Sequence, residues 1–318
     1  MTNMEAITIP EFGGAEVLRL SEVAIPEPGP GQVAVDVAYA GANFAEILYR
    51  QGIADVPLPF VPGIEVSGHI RALGDGVEGL RVGQPVAALT IVDSGGYAEV
   101  VVTSADLVAP LDGLDLGLDI AAALPSNSTT AFLVLDRVAR IEPGESVLVH
   151  AAAGGVGSQL GQAARLLGAG RAVGTVGSAA KIAIAEGFGY DEVVLRDQAV
   201  SGFDIVVDMV GGAARRTSLD ALAPMGRMVV MGNASGADDV PFSPVELWLS
   251  NKSVSGFNLA AFSAAFPAQA GRTLRRAVAA AAAGDLRVQV EVLDLEQAAD
   301  AHRRIESGAT TGKLVLKV

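Results

Sequence analysis

A run of small residues at 151–157 carries the clearest chemical signal in the chain. Residues 147–149 (Val-Leu-Val) read as a short buried strand and residues 158–168 (SQLGQAARLLG) as a helix, with Ala152-x-Gly154-x-x-Gly157 between them. Strand, tight turn and helix start are the parts of a G-x-G-x-x-G dinucleotide fingerprint, here with Ala at the first position. The first small residue keeps the turn tight, Gly154 lets the backbone approach a pyrophosphate, and Gly157 lets the helix pack closely on the strand. Gly155 and Val156 complete the loop. Unpaired N–H groups and the helix dipole there favour phosphate oxygens.

The next apolar run, 172–176, stands about 20 residues beyond the fingerprint, where an NAD-specific site keeps an Asp or Glu for the ribose hydroxyls. No acid is present; the sequence reads Thr175-Val176-Gly177-Ser178-Ala179-Ala180-Lys181. The Ser178 hydroxyl and the Lys181 ammonium suit a 2′-phosphate, which an acid would repel. Arg196, after the run 193–195, adds a guanidinium. These residues point to NADP(H). The plainer reading makes Lys181 a solvated helix residue and Arg196 a loop charge.

Such a loop needs a sheet beneath it, and the chain is long enough to build one. Its 318 residues suffice for two domains, and with 50% hydrophobic and 18% charged residues it is globular in composition. It has no cysteine, which removes disulfides, thiolate metal ligands and cysteine nucleophiles. A net charge of −14 argues against nucleic-acid binding. The N-terminal stretch is neither basic nor apolar enough for a signal peptide, and no apolar run reaches membrane-spanning length, so a cytoplasmic protein is expected.

Before residue 120 the pattern is one of short strands between Gly and Pro clusters: 6–9, 17–20, 33–37, 63–70, 84–89 and 97–103. That predicts a small β-barrel or rolled sheet, with one short helix at 43–51. After it, strands at 172–176, 193–195, 203–207 and 227–231 alternate with helical stretches at 179–186 and 213–222, the pattern of a parallel α/β sheet. Residues 247–258 are expected to carry the last strand of that sheet. Residues 263–283 read as one long Ala-rich helix with Arg272, Arg275 and Arg276 on its polar side, and the chain ends in a helix (295–307) and a strand (313–318).

Assembled in order, several motifs resemble the zinc-independent medium-chain dehydrogenases/reductases, in the quinone oxidoreductase (zeta-crystallin-like) branch. They include Pro26-x-Pro28-Gly29-Pro30-Gly31, Gly41-Ala42-Asn43-Phe44, Pro62-Gly63-Ile64-Glu65-Val66-Ser67-Gly68 and Gly95-Gly96-Tyr97-Ala98-Glu99. Leu124-Pro125 with Thr130-Ala131, His150–Gly157, Asp208-x-Val210-Gly211-Gly212 and Gly312-Lys313-Leu314 follow. The resemblance implies a GroES-like β-barrel catalytic domain (1–122), a Rossmann doubly wound domain (123–260) and a C-terminal return (261–318). It also implies an active cleft between the two domains and a homodimer.

Zinc-dependent relatives carry a ligand Cys where this chain has Gly41-Ala42, and a His-Glu pair where it has Ile64-Glu65. Catalytic zinc needs three protein ligands, and Glu65 alone cannot hold it, so no metal is expected. His150, at the mouth of the loop, reads as packing or capping. Without a Lewis acid the natural chemistry is hydride transfer from NADPH to a quinone or an α,β-unsaturated carbonyl.

By resemblance Asn43 lies in the cleft, where its amide can donate to a carbonyl oxygen; as plain sequence it is a helix N-cap, and the two are compatible. Tyr49 is a candidate phenolic donor or a packed residue with a wet hydroxyl. Thr130 matches the threonine near the nicotinamide, or is an early helix residue, with Ser126 and Asn127 as candidate caps. Val210 belongs to the Asp208 motif. Gly232-Asn233 is expected at the nicotinamide ribose and Phe257-Asn258 at the nicotinamide. Lys313 is assigned no role.

One departure matters. Many family members have a tyrosine proton donor where this chain has Ala54, in Gly52-Ile53-Ala54-Asp55. Either water supplies the proton or the substrate is a quinone that needs no placed acid. Two alternatives stay open: a pathway-specific enoyl reductase, and an NADPH-binding structural or regulatory protein with little turnover.

Overall fold

The computed structural model describes residues 2–238 and 240–318. It divides into two compact units. The first comprises Met1–Thr129, Leu259–Gly284 and Val288–Val318, and the second Thr130–Asn258 with Asp285–Arg287. The sequence places the first junction at 122/123. The units divide instead inside the helix Pro125–Phe132, whose first turn is tied to the first unit through the Ser126 N–H.

In the first unit the strand Gln32–Gly41 is the centre of a seven-stranded sheet. Glu65–Leu73 and Val100–Ser104 pair with it antiparallel, and Pro85–Leu89 and Val108–Pro110 extend the sheet beyond Glu65–Leu73. The alternation at 33–37 suggests a half-buried strand, yet Val33, Ala34 and Val35 are all buried, because the strand is covered on both faces. Its core joins Val33, Val35, Val66, Ile70 and Val86 to Leu314 and Leu316 from the chain's end. That last strand, Lys313–Lys317, runs antiparallel to Gln32–Gly41 and parallel to Val290–Asp294, with Val315 opposite Gly41. It brings Lys313 to the neighbourhood of Asn43.

The second unit is a six-stranded parallel sheet. Its spatial order is Glu192–Leu195, Arg171–Val176, Ser146–Val149, Phe203–Asp208, Leu222–Val230, Ser253–Gly256. Numbered along the chain this is 3-2-1-4-5-6, the doubly wound order with its topological switch at Ser146–Val149. The strand expected within 247–258 is Ser253–Gly256, at the sheet edge, preceded by the helix Pro244–Ser250.

The long helix expected at 263–283 is two helices, Leu259–Ala265 and Pro267–Ala282. Pro267 lacks an N–H and sits in the first turn of the second helix, so Phe266 leaves helical geometry (φ −137°, ψ 56°) and the chain restarts. Likewise 179–186 opens with a tight 3₁₀ turn, Ala179–Lys181, before the α-helix Ile182–Glu186. Among the described residues no helix is long and apolar enough to cross a membrane.

Candidate functional site

The glycine loop of the second unit is shaped by backbone contacts. Ala151 takes a left-handed conformation (φ 54°), Ala152 N–H donates to Thr175 O (3.0 Å), and Gly154 N–H donates to Ala151 O (2.9 Å). The helix Gly155–Leu166 starts from Gly154, and its first intrahelical bond is Ser158 N–H to Gly154 O (2.8 Å). The N–H groups of Gly155, Val156 and Gly157 therefore precede any helical partner, as a phosphate cradle requires. A Cβ on Gly157 would fall 2.2 Å from Ala151 O, so a side chain is excluded where helix and loop meet. At Gly154 a Cβ would meet Ala151 O at 3.3 Å, a tight contact but not a clash.

His150, just before the loop, is 4% exposed and joins three elements. Its Nδ1 lies 2.8 Å from Thr175 Oγ1 and its Nε2 lies 2.9 Å from Ser218 Oγ. Ser218 gives its own proton to Ala214 O, so it accepts from Nε2–H, and Nδ1 accepts from Thr175. Burial holds its pKa below the ordinary histidine value. It is a neutral strut between strands and helix.

Past the C-terminal ends of strands Arg171–Val176 and Glu192–Leu195, Ser178 and Arg196 are exposed. Arg196 N–H donates to Val176 O (3.0 Å), and the guanidinium passes over Gly177, 3.4 Å from where a Cβ would stand. Burial, and then the Arg196 charge, lower the Lys181 pKa. No acid stands between Thr175 and Lys181, and Asp197 follows Arg196. The Lys181 and Arg196 cations and the Ser178 hydroxyl are a fitting donor set for a phosphate monoester.

A second organised point lies at the C-terminal ends of strands Phe203–Asp208 and Leu222–Val230. Buried Asp208 accepts from Val210 N–H (2.8 Å) and Gly211 N–H (3.0 Å) through Oδ1, and its Oδ2 faces Arg215 Nε at 3.5 Å. Arg215 in turn donates to Gly232 O (2.7 Å). Gly211 (φ 75°) sits so close to Asn233 that a Cβ would meet Asn233 Oδ1 at 2.0 Å. Val210, Gly232 and Asn233 are thus gathered at one place, and the Asp208–Arg215 pair that gathers them is not among the sequence-derived site residues. Phe257 N–H continues the ladder to Val230 O (2.9 Å), setting Phe257 and Asn258 just past the edge strand. Thr130 is buried, at 4% exposure.

The first unit holds a buried polar cluster around Asn43. Asn43 is the N-cap of the helix Phe44–Arg50, and its N–H is taken by Glu46 Oε2 (2.9 Å), one half of a capping box. Its Nδ2 donates to Glu65 Oε1 (2.9 Å) and, at 3.3 Å, to Gly41 O. Its Oδ1 accepts from Lys313 Nζ, which also pairs with Glu65 Oε1. Both amide protons are therefore engaged, and only the long bond to Gly41 is readily exchanged for another acceptor. Ser126 and Asn127 are not caps preceding a helix; they lie in its first turn, where Ser126 N–H donates to Glu65 Oε2 (2.7 Å).

Glu46 is fully buried, and burial pushes its carboxyl up to about 7 against the opposing pull of Lys313. Tyr49 packs edge-on against Phe60 (centroids 5.7 Å apart), and burial, with the Glu46 charge, raises its phenol to about 12. It is a packed residue whose hydroxyl stays protonated at neutral pH.

The donor set around Glu65 does not fit a catalytic zinc. One carboxylate, already bonded to an ammonium, an amide and a backbone N–H, offers no three-ligand set, and a Cβ at Gly41 would fall 2.4 Å from Glu65 Oε1. Among the described residues no three His, Asp or Glu side chains gather into a metal site.

Residues 29–113 match the family described as "Alcohol dehydrogenase GroES-like domain", and residues 179–316 match "Zinc-binding dehydrogenase". The mouse protein "Synaptic vesicle membrane protein VAT-1 homolog-like" is 34% identical over 80% of this chain, which spans only 66% of that relative's length. A "Probable quinone oxidoreductase" of Schizosaccharomyces pombe is 34% identical over 99% of this chain and 97% of its own. A solved mycobacterial protein complexed with NADPH superposes with a TM-score of 0.90 at 31% identity, over 99% of this chain and 100% of that one.

Proposed function

The chain belongs to the quinone oxidoreductase branch of the medium-chain dehydrogenases/reductases, and we propose that it is a metal-free, NADPH-dependent reductase of quinones or α,β-unsaturated carbonyls. The observation that carries the cofactor choice is the Arg196 guanidinium lying over Gly177, beside Ser178 in a segment that carries Lys181 and no acid, at a position where an NAD site keeps one. The NADPH in the mycobacterial relative supports it.

Bound NADPH supplies a hydride. The chain's residues do the rest. Gly155–Gly157 present backbone N–H groups to the pyrophosphate, and Ser178, Lys181 and Arg196 hold the 2′-phosphate. The Asp208–Arg215 pair fixes the turns carrying Val210, Gly232 and Asn233 for the ribose of the nicotinamide, with Thr130, Phe257 and Asn258 assigned to its ring. Asn43 exchanges its 3.3 Å bond to Gly41 O for the substrate's carbonyl oxygen, where negative charge develops. With Ala54 at the usual tyrosine position and Tyr49 packed against Phe60, the proton comes from water. NADPH oxidation by a panel of benzoquinone, naphthoquinone and simple enones, with NADH in parallel, tests the reading; turnover only with NADH, or with neither, overturns it.

The protein acts as a homodimer in this proposal. Trp248, Leu249, Val245 and Met225 are 56–74% exposed on the second unit, beside the unpaired edge of strand Ser253–Gly256. An apolar patch next to an open strand edge suits a second copy of the same edge.

A further inference from the structure

The Lys313 side chain is 3% exposed and its charge is spent in one place. Three groups close a triangle. The ammonium donates to Asn43 Oδ1, Asn43 Nδ2 donates to Glu65 Oε1 (2.9 Å), and the same carboxylate pairs with the ammonium. An ammonium only donates and a carboxylate only accepts. Turning the Asn43 amide over would set Nδ2 against Nζ and Oδ1 against the carboxylate. One orientation survives.

We propose that Lys313 is the positioning residue for Asn43, fixing which way its amide points and strengthening it as a donor. A positive charge on the carbonyl oxygen draws electron density from the amide nitrogen, so the Nδ2 protons bond more strongly to an acceptor carrying negative charge. The inference rests on Asn43 as the group that holds the substrate oxygen. Its backbone is fixed from the other side by Glu46, so cap and side chain are both held. The lysine arrives from 270 residues away through the pairing of the last strand with Gln32–Gly41. Gly41 leaves the space the triangle occupies, since a Cβ there would overlap Glu65.

A buried ion pair that merely ties strand to helix is the competing reading, and a double-mutant cycle separates the two. Lys313→Met, Asn43→Ala and the double variant are compared for turnover with naphthoquinone and NADPH, for NADPH affinity, and for the Asn43 side-chain amide signals in ¹H–¹⁵N spectra. Lys313→Met/Glu65→Gln removes both charges and serves if the single variant fails to fold. Expected are an NADPH Kd within about twofold of wild type and a kcat about 10- to 100-fold lower in each single variant. The Lys313→Met/Asn43→Ala variant should be no slower than either, because both substitutions remove the same device. The amide signals shift and lose exchange protection without the lysine. Unchanged amide signals, a kcat within about twofold of wild type, or losses that multiply in the double variant each overturn the proposal. If the wild type turns over no substrate, the donor role of Asn43 falls, and the amide spectra still decide whether Lys313 orients it.

Discussion

Adding one methyl group at Gly157 should damage both stability and NADPH binding, whereas adding it at Gly154 should damage chiefly binding. The Gly157 Cβ would stand 2.2 Å from Ala151 O and 2.9 Å from Ala151 C and Ala152 Cα, where ordinary contact begins at 3.4 Å. All three are backbone atoms, so no side chain can turn aside, and the helix Gly155–Leu166 must retreat by about 1 Å. Overpacking of that kind costs about 1–3 kcal/mol. The same retreat would draw the helix N–H groups away from a bound pyrophosphate and out of hydrogen-bond range of part of it. Losing one or two charged hydrogen bonds at about 1.5–3 kcal/mol each weakens NADPH by about 100-fold. At Gly154 a Cβ would stand 3.3 Å from Ala151 O, just inside ordinary contact, and φ is −80°, open to any L-residue, so alanine costs the apo protein far less than it does at Gly157. Its methyl group stands where the backbone should approach the pyrophosphate, and binding falls about 10-fold or more. Thermal melting of the apo variants and NADPH titration by fluorescence give both quantities. A Gly157→Ala protein that binds NADPH as tightly as wild type would refute the cradle.

Arg196→Ala and Lys181→Ala should each weaken NADPH by about 10-fold and leave NADH within about twofold, read by titration of both cofactors. Glu46 should titrate near 7 in the folded protein, followed by the ¹³C signal of its carboxyl. Its native pKa lies above the ordinary 4.5, so the folded chain holds the proton longer; this contribution is complete below about 4.5 and is lost as pH rises through 7, by about 3 kcal/mol in chemical unfolding. A midpoint near 4.5 would contradict it. Trp248→Glu should convert a dimer to a monomer in light scattering, and a wild type already monomeric would remove the interface.

The glycine loop was legible because its signal is local: strand, small residues and helix are consecutive, and each residue's task follows from its size. The doubly wound sheet followed from alternation, and His150 as packing from its isolation in sequence. The triangle at Asn43 was not legible. Asn43 and Glu65 are 22 residues apart and Lys313 is 270 from Asn43, joined only when the last strand pairs with Gln32–Gly41. Glu65 read as half of a missing metal site; the fold gives it an ammonium instead. Asp208–Arg215 escaped for a similar reason, since a buried ion pair leaves no mark in sequence beyond two charges. Pro267 was a readable break that Ala-rich periodicity on both sides obscured.

Hydride delivery to a conjugated carbonyl is the account's central claim, and isotope transfer tests it most directly. The protein is given NADPH deuterated at the transferring position and a simple enone, and the product is examined by mass spectrometry and NMR. One deuterium is expected on the carbon β to the carbonyl, with a solvent proton at α. Reduced product without the label, or label on the carbonyl carbon, would contradict it.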